Sequence, residues 1–153
     1  MSLRKALQDA VIAGLKAVVP TTTVKAKNIK AAVAIDSSMP VILVTVDEKQ
    51  LDCQVFDDLR MMVVEIRILT RKEEDDEKVR LHEVVEAVDA YYRTPQDFGT
   101  LDGYKQVRAA QMLRGGIMDE DNDRDWNQAA GHFLVPFEKS AEASPSGSAS
   151  ASA

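Results

Sequence analysis

The chain has 153 residues, 45% of them hydrophobic and 29% charged, with a formal net charge of −6. That length fits one domain, and the acidic balance argues against general affinity for a nucleic-acid backbone, which favours basic surfaces. One cysteine, Cys53, excludes an intrachain disulfide and fits a reducing compartment, and no apolar run approaches the roughly 20 residues that span a bilayer.

Aromatic residues make up only 5% of the chain, so the core has to be mostly aliphatic. The opening Met1-Ser-Leu-Arg-Lys5 makes a poor signal peptide and a better amphipathic helix. Ser2 suits an N-cap, and the helix is expected to run to about Val18. Leu3, Leu7, Ala10, Val11, Gly14 and Val18 line one face, and Pro20 closes the element. Ile12 falls on the polar side, either as a tolerated exposed residue or as a subunit contact.

Thr21–Lys27 alternates β-branched residues with lysine and reads as a short strand. Asn28–Ile35 is ambiguous, and Asp36–Pro40 is a loop. Val41–Val46 is a strand apolar on both faces, as expected of a strand covered on both sides. Helices would supply one cover; a neighbouring chain could supply the other. Leu51, Cys53 and Val55 alternate with Asp52 and Gln54 as a further short strand, with a turn at Asp57-Asp58. In Met61–Leu69, Met62, Val64, Ile66 and Ile68 share one face and Glu65 and Arg67 the other, the pattern of a half-buried antiparallel strand.

Arg71–Lys78 is a charge run that reads as a solvated helix start, with acids near the positive end of the dipole. Leu81, Val84, Val85, Val88, Tyr91 and Tyr92 then form a helical stripe that ends at Thr94-Pro95. Leu101-Asp-Gly-Tyr104 is a turn. Val107–Leu113 can pair with Ala129–Phe137 as a long C-terminal hairpin across the acidic turn Asp119–Asp125. Pro136 cannot donate a ladder hydrogen bond, so its strand should lie at an edge or be bulged there. An edge would make Phe133, Val135 and Phe137 candidate subunit contacts, because exposed edges invite pairing. Residues 1–139 thus read as a single α+β domain. Residues 140–153, with six Ser and five Ala, read as a flexible tail lacking large apolar side chains.

No arrangement here demands an enzyme. Asp119, Asp121 and Asp123 occupy the first, third and fifth places of an EF-hand-like loop. The required Gly is Arg124 and the bidentate Glu is Ala130, so calcium is disfavoured and no metal is assigned. Cys53 with His82 or His132 lacks an accompanying oxyanion-hole signature. Gly115-Gly116 lacks the Gly-Lys-Ser/Thr of a phosphate-binding loop. Five acids and one Arg give residues 119–125 a formal charge of −4. Facing a channel, Asp119, Glu120, Asp121, Asp123 and Asp125 would repel a passing DNA backbone.

The order of these elements resembles the tail-terminator (tail-completion) proteins of long-tailed bacteriophages. It runs from the N-terminal helix and the Pro40-led strand through Met61–Leu69 and the Leu81–Tyr92 helix. It continues through the Leu101-Asp-Gly103 turn to the hairpin closing on Ala129–Phe137, and so covers roughly residues 2–138. The resemblance implies a mostly antiparallel sheet with two amphipathic helices on one face. It also implies a homo-oligomeric ring, commonly a hexamer, that caps the tail tube and meets a head-completion or connector protein. DNA would pass through the lumen without specific binding. Neither catalysis nor a cofactor is implied, and the setting is the virion, after assembly in the host cytoplasm. A ring needs two complementary patches per chain; Ile12 and the strand holding Val41 and Leu43 are candidates. The rival readings are a head-completion neck protein, a small cysteine- or metal-dependent hydrolase, and a host-factor-binding module using Arg71–Lys78.

Overall fold

The computed structural model describes residues 2–20, 22–26, 40–49, 59–73, 75, 77–112, 116–120 and 126–139. Helix α1 spans Leu3–Val18, and the Ser2 hydroxyl accepts the Lys5 amide at its start. Leu3, Leu7, Val11 and Leu15 recur every four residues and are fully buried. After Pro20 the chain enters β1, Thr23–Ala26, which runs parallel to the start of β2, Val41–Lys49. β2 pairs antiparallel with β3, Leu59–Arg71, over its whole length.

The even-numbered residues of β3 alternate inward: Met62, Val64, Ile66 and Ile68 are all buried. They meet Ile42, Val44 and Val46 of β2 on the same face. Helix α2, Val79–Arg93, contributes Leu81, Val84, Val88 and Tyr92 to that core. α1 packs over β1 and β2, while α2 packs over β3 and the strands beyond it. Both helices therefore lie on one side of the sheet. They touch at Gly14, where an added Cβ would stand 2.9 Å from the Tyr91 hydroxyl oxygen.

β4, Thr100–Leu101, and β5, Tyr104–Gln106, form a two-residue hairpin through Asp102 and Gly103, both at positive φ (49° and 80°). Positive φ at both central positions is what a type I′ turn requires, and an Asp-Gly pair supplies it with little strain. β6, Gln111–Met112, and β7, Met118–Glu120, follow, and β8, Trp126–Lys139, closes the domain. The sheet order is β1-β2-β3-β8-β5-β4, with β6 and β7 also paired to β8. The chain is α+β, with a mixed, mostly antiparallel sheet.

Two sequence expectations need correction. β8 is an interior strand: β3 pairs along one side of it, and β5, β6 and β7 in succession along the other. Pro136 is accommodated by a bulge instead of an edge. Its carbonyl accepts the Val107 amide at 2.9 Å, so its missing N–H would face the stretch between β5 and β6, where the partner strand carries two extra residues. Phe133, Val135 and Phe137 consequently point into the core under the helices and are 0% exposed. Asp119 and Glu120 belong to β7, opposite Ala129 and Gln128, and are not turn residues.

The second cover of β2 is also resolved within one chain. Val41 and Leu43 face away from the helices yet are 0% and 3% exposed, with Leu69 and Trp126 packed beside them. The elements expected at Asn28–Ile35, Asp36–Met39, Leu51–Val55 and Asp57-Asp58 lie outside the described residues, as do Cys53 and the tail at 140–153.

Candidate functional site

Three places gather polar chemistry. The first is the base of the acidic run. β7 sets Asp119 on the helix side of the sheet, beside the opening turn of α2. Its Oδ2 lies 2.9 Å from His82 Nε2 and 3.8 Å from Lys78 Nζ. The positive end of the helix dipole adds to that pull. Asp119 is thus held against its own chain and does not project freely. Asp121, Asp123 and Asp125 lie outside the described residues, and Glu120 is placed only by its backbone pairing with Gln128.

The second is a buried cluster that sequence reasoning missed. Within the charge run, Asp75 is only 6% exposed. Its Oδ1 accepts the Arg80 amide at 2.9 Å. Its Oδ2 accepts the Leu81 amide at 3.0 Å and the Thr70 hydroxyl at 2.9 Å. Lys78, the residue at the cap position, sits in the left-handed region at φ 60° and caps nothing with its side chain. Asp75 therefore does an N-cap's work from three residues further back. Burial pushes the Asp75 carboxyl pKa up, but the two amides, the Thr70 hydroxyl and the Arg80 charge together bring it below its ordinary value. One signal was available: Thr70 continues the inward alternation of β3, and a polar residue at a core position needs a partner.

The third is the sheet face turned away from the helices. Across β3 and β8 it carries Met61, Val63, Leu69, Trp126, Leu134 and Pro136, all half-buried. A polar band crosses its middle. His132 Nε2 lies 3.1 Å from Glu65 Oε2, and Arg67 donates to Gln128 Oε1 at 3.0 Å. The Arg71 guanidinium lies 5.2 Å from the centre of the Trp126 ring. Val107 and Met118 at the margin are 51% and 62% exposed.

Val41, Leu43, Phe133, Val135 and Phe137, the candidate subunit contacts, are buried within the single chain. Ile12 is half-buried and packs against the core edge. His82 and His132 sit on opposite sides of the sheet, and Cys53, the thiol that either would have to reach, lies outside the described residues. Among the described residues no three His, Cys, Asp or Glu side chains converge as metal ligands, and no helix is long and apolar enough to cross a membrane. No protein-family model and no curated protein sequence matches this chain.

Proposed function

We propose that this chain is a structural subunit of a phage tail: a tail terminator that forms a homo-oligomeric ring, caps the tail tube and joins it to the head-completion complex. The observation that carries this reading is the outer sheet face. It combines half-exposed Met61, Val63, Leu134 and Pro136 with an exposed Val107, and no helix among the described residues lies on it. Aliphatic surface of this kind, crossed by a polar band, has the make-up of a protein contact. The order of elements, with two helices on one side of the sheet, agrees with the resemblance already described. The function is contact-making, with no bond broken.

Light scattering on the purified chain, with and without tail-tube protein, tests the proposal. The expected result is a closed multimer that stops tube growth. A chain that stays monomeric and never caps tubes overturns it. Cross-linking in assembled particles separates a terminator, which meets the tube, from a connector, which meets only head proteins.

A further inference from the structure

The two helices expose outer stripes of opposite net charge and identical spacing. On α1 the stripe is Lys5, Asp9, Ile12 and Lys16; on α2 it is Val79, Glu83, Glu86 and Ala90. Each follows the steps i, i+4, i+7 and i+11, the repeat that keeps side chains along one line of a helix. Each therefore extends about 16 Å, at 1.5 Å per residue. Two cations and one acid leave the α1 stripe at +1, and two acids put the α2 stripe at −2. The whole helices carry the same signs. α1 has Arg4, Lys5 and Lys16 against Asp9, for a net +2; α2 has Arg80 and Arg93 against Glu83, Glu86 and Asp89, for a net −1. Both stripes contain an aliphatic residue: Ile12 is half-buried, and Val79 is 55% exposed. Ala90, exposed and small, leaves room for a neighbour's longer side chain at the far end of α2.

Within one chain these charges are only partly used. Lys5 bridges Asp9 and Arg93 bridges Asp89. Lys16, Glu83 and Glu86 have no opposite charge within bridging distance among the described residues. Asp119 takes up the charge of Lys78 at the head of α2, so Lys78 does not neutralise the acidic stripe. A chain of net charge −6 repels its own copies at long range. Association then needs a surface where unlike charges meet, and α1 is cationic.

We infer that the basic stripe of α1 seats on the acidic stripe of α2 in a second copy of this chain, with Ile12 and Val79 as the apolar anchors of the contact. The inference rests on the self-association within the ring reading. In a closed ring each copy turns α1 toward one neighbour and α2 toward the other. In a two-fold pair both contacts form at once.

Charge reversal on the full chain tests it. Lys5→Glu with Lys16→Glu reverses one stripe, and Glu83→Lys with Glu86→Lys reverses the other. Sedimentation velocity reads the association, and circular dichroism checks that each variant is folded. Each reversal alone is expected to weaken self-association roughly tenfold or more, and the four changes together to restore it. Raising the salt should weaken the wild type. Self-association that ignores the single reversals, or a combined variant without rescue, overturns the contact. So does a wild-type chain that is monomeric throughout. Loss of duplex-DNA binding on α1 reversal, with self-association unchanged, also overturns it and makes DNA the partner. Reversed variants that still form rings and cap tubes refute this contact alone. A wild type that associates in this charge-sensitive way yet never caps tubes refutes the ring reading alone.

Discussion

Asn127 donates through Nδ2 to the backbone carbonyl of Asp75, 2.7 Å away, and so ties the start of β8 to the turn before α2. The same amide reaches the Thr70 hydroxyl oxygen at 3.2 Å. Thr70 and Asn127 face each other across β3 and β8, at 3% exposure each. One buried amide thereby connects the sheet, the turn and the helix start.

Asn127→Ala takes one of two donors from the Asp75 carbonyl, which keeps the Lys78 amide at 3.0 Å. The expected loss is about 0.5–1.5 kcal/mol, the net worth of a typical hydrogen bond. Chemical denaturation of the two proteins measures it. Asn127→Asp should be worse, because an ionised carboxylate cannot donate and would set a buried negative charge against the Asp75 carbonyl oxygen. A variant as stable as wild type removes the tie from the account.

Asp75 makes part of the stability dependent on pH. Its folded pKa lies below the ordinary carboxylate value. The stabilisation is therefore fully present above the unfolded value, about 3.9. It is lost as pH falls through the lower folded value, because only the ionised group is favoured by the fold. Asp75→Asn should show a shallower loss of stability below pH ~4 than wild type. Urea midpoints across that range decide it; parallel curves for the two proteins rule out Asp75 as the source.

The Gly14–Tyr91 contact predicts an offset. Gly14→Ala improves helix propensity by roughly 0.8–1 kcal/mol, but its Cβ meets the Tyr91 hydroxyl. The single change should come out close to neutral. Tyr91→Phe removes the obstructing oxygen, so the double variant should be more stable than additivity allows. Thermal melts of the four proteins in the cycle test this, and strict additivity would show that the contact is slack.

Phe133 and Val63 separate the core from the outer face. Phe133 is fully buried and its ring lies 4.6 Å from that of Tyr92. Phe133→Ala is expected to cost about 3–5 kcal/mol and to act through folding. Val63→Ser, on the half-exposed face, should cost far less stability and reduce tube capping. If Phe133→Ala stays stable while assembly fails, the assignment of Phe133 to the core is wrong.

Periodicity made the regular elements readable. Four-residue steps along Leu3–Leu15 and two-residue alternation along Met62–Ile68 name both the element and its buried face, because an apolar stripe must be covered by its own fold. The Asp102-Gly103 turn was legible for a local reason: two successive positive φ angles suit few residue pairs. The Asp75 cluster was not. In sequence Asp75 is one acid among several; its burial comes from Thr70, five residues away, and Asn127, fifty-two residues away.

β8 shows the division most clearly. Its composition says strand, and its proline says that one ladder bond is missing. Neither says that β5, β6 and β7 line up along its far side, with the gap at Pro136. The sequence alone determined the two helices, the strands β2, β3 and β8 and most of the aliphatic side chains that avoid water, because those are properties of neighbours in the chain. Only the tertiary structure decided that β8 is paired on both sides at Phe133–Phe137, that Val41 and Leu43 are covered by their own chain, and that Asp119 is held by His82. Each of these depends on which distant segments pair, a choice set by the whole sheet and not by any one stretch of it.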